Sequence, residues 1–171
     1  SGARAAAWDA YCGRHPAATP YHLSAWGRAV AEVLGHEPHS LYVDEGGRIT
    51  GVLPLFLRRS RLFGTNLVSV PAANVGGPLA DDDQTAQRLV EGAIALAREL
   101  NVDFLELRNV APGSPVASAL QLDPGRYVCV EIDLADGEAA VWSRLGKENR
   151  RRVRRAQDAG LAVELRDDLA S

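Results

Sequence analysis

The 171-residue chain has no methionine, two cysteines and four histidines, and only 6% of it is aromatic. Each shortage excludes something. Cys12 and Cys129 are too few for a disulfide framework. Lone cysteines commonly serve as small buried hydrophobes, and the expected compartment is reducing and cytoplasmic. The one close histidine pair, His36 and His39 in "HEPH", has Pro38 between its members. Proline holds that segment extended, away from the i,i+4 placement that sets two imidazoles on one metal. No other cluster has metal-ligand spacing, so no metal is expected. No apolar run approaches the roughly 18 residues of a membrane span; "ITGVLPLFL" is nine residues long and contains a proline. The opening "SGARAAAWDAY" lacks the apolar centre of a secretory signal, and the missing initiator fits an altered start at Ser1-Gly2. There is no P-loop, dinucleotide fingerprint or Ser-centred nucleophile elbow, and no catalytic side chain is assigned.

What the chain does contain is 46% hydrophobic and 24% charged residues, ordinary for a domain with a sizeable core. "AAAWDAYC" reads as a short helix. "SAWGRAVAEVLG" reads as a second, with Ser24 as N-cap, Trp26, Val30, Val33 and Leu34 on one face, and Gly35 as the stop. "HSLYVD" and "ITGVLPLFLRR", separated by "EGGR", predict a hairpin, with Pro54 marking an edge or bulge. "NLVSVP" and "VDFLELRN" are further strands. Between these two lies the clearest helix, striped by Leu89, Ala93, Leu96, Ala97 and Leu100. Asp81, Asp82 and Asp83 fall in its first turn. Residues 110–125 read as a loop and "RYVCVEIDL" as a strand. A basic helix from Glu138 to Ala159 follows, and "LAVELRD" opens one more strand. This order predicts an α/β (α+β) domain, a mixed and largely antiparallel sheet flanked by helices.

The charge is unevenly placed. The chain carries −3 overall, yet Lys147 to Arg155 holds six cations against one anion, Glu148. On a helical wheel with Val153 at zero, Arg150, Lys147, Arg154 and Arg151 fall between about 60° and 160°. Trp142, Leu145, Asn149, Val153 and Ala156 share a line beside them. A charge run is ordinarily a solvated face. Here the i,i+4 pairing that offsets such charge is sparse, like charges accumulate, and arginine, whose planar fork suits phosphate and carboxylate, predominates. An anionic ligand or an acidic neighbouring domain would relieve the repulsion.

Three other places merit attention. "VPAANVGGPLADDD" puts Asn74, Gly76 and Gly77 before a helix. Such a turn can cradle phosphate, although three aspartates would repel it and a tight structural turn is the simpler reading. In "FLELRN" the alternation sets Glu106 and Arg108 on one face with Phe104, as a structural ion pair or a cleft wall. "ATPYHLSAW" offers Tyr21, His22 and Trp26, as core packing and capping or as a ligand platform.

Taken in order, "TPYHLSAWGRAV", "GHEPHSLYV", "GRITGVLPLFLRRSRLFGTNLVSVP", "GGPLADD", "DFLELRN" and "LGKENRRRVRRAQDAGLAV" resemble FemAB-like proteins of the GNAT superfamily. The nearest subgroup is the FemAB-related proteins associated with PEP-CTERM/exosortase systems. The resemblance implies two tandem GNAT-like domains. Residues 1–160 are then the first, ending in a basic bridging helix, and 161–171 begin a second that is absent here. It implies transfer of an acyl or aminoacyl group, from acyl-CoA or aminoacyl-tRNA, onto an amine-bearing acceptor related to the cell wall or exopolysaccharide, with no tightly bound cofactor. Lys147, Arg150, Arg151 and Arg154 would then hold phosphates of a small molecule or tRNA. The Tyr21/Trp26 group and the Asn74–Gly77 turn would shape the acceptor pocket, and this half alone would not turn over. The competing expectations are a nucleic-acid or anion-binding module built on the basic helix, which overall acidity disfavours, and a purely structural helix paired to acids of a neighbouring domain.

Overall fold

The computed structural model describes residues 2–62, 64–108, 120–121 and 132–164. The chain falls into two compact units, Ser1–Tyr127 and Val128–Ser171.

The first unit is organised by one apolar run. Strand β2 (Leu41–Glu45) and strand β3 (Arg48–Leu53) form the expected hairpin. Its turn residues Gly46 and Gly47 have φ of 63° and 89°, the left-handed values a two-residue turn between twisted strands needs. The run was expected to continue as one strand with an irregularity at Pro54. Instead it divides. Pro54 has no N–H to give to a ladder, and the chain passes there from one sheet to another. Beyond it, β4 (Phe56–Ser60) pairs with β1 (Glu37–Pro38) and with β5 (Gly64–Val68), both antiparallel. β5 pairs in parallel with β7 (Phe104–Glu106), and β6 (Leu79–Ala80) adds to β3. The two sheets are therefore β1-β4-β5-β7 and β2-β3-β6. The seam between them is closed by the His39 N–H on the Leu55 carbonyl, at 2.7 Å, and the Leu55 N–H on Ser40 Oγ, at 3.3 Å.

Side-chain alternation survives the crossing. Leu53, Leu55 and Leu57 all enter the core beneath helix α3 (Asp83–Glu99), with Val43, Leu67, Leu89 and Ala93. The stripe expected on α3 is the one observed. Asp82 caps it, accepting the Thr85 N–H at 2.7 Å, while Asp81 lies before the helix and pairs with Arg48 at 3.0 Å. Helix α1 (Gly2–Cys12) packs on the opposite side of β3, burying Tyr11 and Cys12 against Ile49, Val52 and Leu79. The Tyr11 hydroxyl donates to the Thr50 carbonyl at 3.0 Å, and burial raises its pKa. Burial also raises the Cys12 thiol to about 11, with Asp9 adding to the effect, so Cys12 is a packed hydrophobe.

Helix α2 (Ser24–Leu34) stops at Gly35 as expected but departs from expectation at its start and in the face it buries. Leu23, not Ser24, occupies the N-cap position. The Ser24 N–H and hydroxyl both donate to Asp9 of α1, at 2.7 and 2.6 Å, so a carboxylate from a neighbouring helix supplies the cap. The apolar stripe is also rotated. Val30 is buried with Gly27 and Ala31 half-buried beside it, whereas Val33 is 80% exposed. The inner face of α2 thus carries the small residues Gly27 and Ala31 beside Val30.

In the second unit the single basic helix is two helices, α4 (Glu138–Arg144) and α5 (Lys147–Asp158). Leu145 and Gly146 have ψ of 133° and 151°, which breaks the helix; glycine is a poor helix former and here occupies the N-cap of α5. The line from Trp142 to Ala156 assumed a continuous helix and is broken with it. Neither helix contains a buried residue. Residues 161–164 form no strand. The strand expected over 126–134 and most of the 110–125 loop lie outside the described residues. No helix among the described residues is long and apolar enough to cross a membrane.

Gly51 marks where α3 presses closest on the sheet. A Cβ there would sit 2.6 Å from Thr85 Cγ2 and 3.2 Å from the Leu79 carbonyl. Gly51→Ala is expected to destabilise by about 1–3 kcal/mol. Urea unfolding should show a lower midpoint with an unchanged slope; an unmoved midpoint would contradict the close packing.

Candidate functional site

Where the two sheets part, they leave a hollow of about 280 Å³ on the α1/α2 side. Its floor is the seam: Pro38, Ser40, Pro54 and Phe56. Pro54 and Phe56 are the even-numbered members of the run whose odd-numbered leucines fill the core beneath α3. Ala5 and Trp8 of α1 form one wall, and Gly27 and Ala31 of α2 form the other. The void exists because α2 turns its small residues inward; a Cβ on Gly27 would still stand 3.8 Å from Phe56 Cζ. Arg4 and Arg28 also line the hollow.

The end wall is a 3-10 turn, Pro20–His22, held by His22. That imidazole is 3% exposed. Its Nδ1 accepts the Thr19 N–H at 3.1 Å, so its Nε2 carries the proton and donates to the Gly77 carbonyl at 3.1 Å. The ring is neutral, and burial lowers its pKa, opposed by the two backbone hydrogen bonds. The His22 carbonyl accepts the Trp8 indole N–H at 2.6 Å. One residue thus links α1, the 3-10 turn and the loop that follows β5. Tyr21 lines the hollow and meets Trp26 edge-to-face at 4.9 Å.

Of the other residues singled out in the sequence, Gly77 is drawn to His22, and Gly76 (φ 155°) packs where a Cβ would lie 2.4 Å from Val70 Cγ1. Asn74 is exposed on the same loop. Glu106 and Arg108 form an ion pair at 2.8 Å, with side chains 25% and 15% exposed. Arg108 also donates to the Ala73 carbonyl and takes Ser69 Oγ on its backbone N–H at 3.0 Å, so the pair ties β7 to the 70–78 loop.

The cations of α5 belong to the second unit. Arg151 and Arg152 share Glu148, at 3.0 and 3.2 Å. Arg150 reaches the Ser143 carbonyl at 3.4 Å, and Arg154 lies 5.6 Å over the Trp142 ring.

Sequence reasoning missed Arg4, Trp8, Gly27 and Arg28. The available signal was helical spacing: Arg4 and Trp8, like Ser24 and Arg28, stand four residues apart and share a face. Their convergence on one hollow depends on how α1 and α2 pack.

No protein-family model matches the chain, and no curated protein matches it. One solved structure, described as a probable acetyltransferase, aligns with 64% of this chain and 76% of its own, at a TM-score of 0.38 and 15% identity.

His22 gives the site a pH dependence. Its folded pKa lies below the ordinary imidazole value of 6.5, so below that pH the unfolded chain takes up a proton the folded chain resists. Its contribution is whole above pH 6.5 and is lost as pH falls toward the folded value. His36, lowered by burial and by Arg58, acts with the same sign. Urea midpoints measured from neutral pH to about pH 5 should fall in the parent and fall less steeply in His22→Gln. Equal slopes would refute the neutral, buried imidazole.

Proposed function

We propose that the chain is the first half of a GNAT-like acyl or aminoacyl transferase that forms an amide on an amine-bearing acceptor. The observation that carries this reading is the cation excess on α5. Arg151 and Arg152 are offset by one shared carboxylate. Among the described residues no carboxylate pairs with Lys147, Arg150, Arg154 or Arg155. Guanidinium groups on one helix that lack acids of their own suit the phosphates of an activated donor. The ordered resemblance in sequence supports the same class. Two GNAT-like domains in tandem would complete the protein, with residues from 161 leading into the second.

In this reading Lys147, Arg150, Arg151 and Arg154 hold the phosphates of acyl-CoA, of aminoacyl-tRNA or of a phosphorylated small-molecule acceptor. Tyr21, His22, Trp26 and the Asn74–Gly77 turn shape the acceptor side. Amide formation from an ester or thioester needs an unprotonated amine held near the carbonyl and a stabilised oxyanion. Positioning supplies much of the first. The cell-wall or exopolysaccharide nature of the acceptor rests on the FemAB-like resemblance alone.

A nucleic-acid module would use the same cation row, and binding separates the two readings. The chain, titrated with coenzyme A, an aminoacyl-tRNA and generic duplex DNA at low and moderate salt, is expected to prefer one phosphorylated donor. The double variant Arg150→Gln/Arg154→Gln should weaken that binding about tenfold or more. Preference for generic duplex, with affinity dropping steeply as salt rises, would replace the transferase reading with the module. Donor affinity untouched by the double variant would remove α5 from the site.

A further inference from the structure

We infer that the hollow over the seam binds an amphipathic anion, a chain-like apolar body with one negatively charged end, and that Arg4 and Arg28 take that end. This deepens the acceptor side of the proposed transferase and rests on that reading only for what becomes of the ligand.

The body is apolar because the hollow offers little else. Its floor and walls are carbon from Pro54, Phe56, Ala5 and Ala31, with Gly27 leaving the space open. Three of the polar side chains that border it, Trp8, His22 and Ser24, are already engaged within the protein. The Trp8 indole N–H is on the His22 carbonyl, both His22 ring nitrogens are bonded, and the Ser24 hydroxyl is on Asp9. A hydroxyl-rich body such as a sugar would find few partners for the groups it must desolvate.

The charged end follows from the two arginines. No carboxylate among the described residues pairs with Arg4 or Arg28. Each guanidinium is nevertheless positioned. Arg4 lies over the Tyr42 ring, 5.5 Å from its centroid, and Arg28 Nη1 donates to Ser24 Oγ at 3.1 Å. Asp9, which meets Ser24 beside Arg28, has both oxygens committed to Ser24. Two anchored cations from two different helices, at an apolar hollow closed underneath by the seam hydrogen bonds, match a ligand that is greasy along its length and anionic at its tip. A carboxylate and a phosphate monoester share that chemistry.

Octanoate, octyl phosphate and 1-octanol distinguish the cases. Each is titrated against the whole chain by calorimetry and by intrinsic fluorescence, with Trp8 in the wall as reporter. At least one of the two anions should bind about tenfold or more tightly than octanol, and the stronger one identifies the head group. Hexanoate should bind about fourfold more weakly than heptanoate, the step expected for one buried methylene. Arg4→Gln/Arg28→Gln should bring the anion down to the level of octanol. Gly27→Leu and Ala31→Leu, each filling the hollow, should abolish binding of all three, while circular dichroism and the thermal midpoint show the fold retained. The inference is overturned if octanol binds as well as the anions, if the double arginine variant keeps the discrimination, or if both filled variants still bind. Coenzyme A binding, measured on the same samples, reports on α5 separately, so failure of either idea leaves the other standing.

Discussion

A single missing N–H divides the first unit. Pro54 stands in the middle of the longest apolar run, where a continuing strand would need a donor, and proline has none. The run serves two sheets in consequence. Its odd-numbered leucines stay beneath α3 while Pro54 and Phe56 face the other way. The division of the sheets and the floor of the hollow therefore have one cause, while the space above that floor is left by Gly27 and Ala31 of α2. A sheet that continued through residue 54 would present an unbroken surface to α1 and α2, with no seam beneath the space between them.

Polar bonds tie the helices above the seam to each other and to the turn beside them. Asp9 caps α2, Trp8 reaches the His22 carbonyl, and His22 reaches Gly77. These bonds fix the rim while Gly27 and Ala31 leave the middle unfilled. Such a division lets a cavity persist without collapse, because the groups that would otherwise close over it are held elsewhere. The second unit is built differently. Its helices bury no residue, and α5 gathers like charge on one turn after another.

Local signals were legible in the sequence where local physics decided the outcome. The Gly46-Gly47 turn, the α3 stripe and the Gly35 stop follow from backbone freedom and helical period. The Glu106–Arg108 pair formed as the strand alternation suggested. Other features needed tertiary context. Ser24 looks like an N-cap until Asp9 arrives from another helix. Val33 and Leu34 look like a core face until α2 rotates to bring Gly27 inward. Gly146 sits in a helical pattern, where one glycine costs too little to announce a break. The short strands β1 and β6 carry no periodicity because each is two residues long. Of the pocket residues expected from the sequence, Tyr21 and His22 line the hollow and Gly77 bonds to His22, whereas Trp26, Asn74, Gly76, Glu106 and Arg108 do not line it. Arg4 and Arg28 were not named, since nothing in the sequence relates two arginines on separate helices.

The parity of residues 53–57 has an evolutionary corollary. Odd positions hold the domain together and even positions line the space that a ligand could occupy, and they alternate without a spacer. A one-residue insertion or deletion there would exchange the two sets, burying what should be reachable and exposing what should be core. Lineages carrying this segment can alter it by substitution but not by changing its length. Divergence in ligand preference should accordingly accumulate on α1 and α2, whose side chains can vary without disturbing that count.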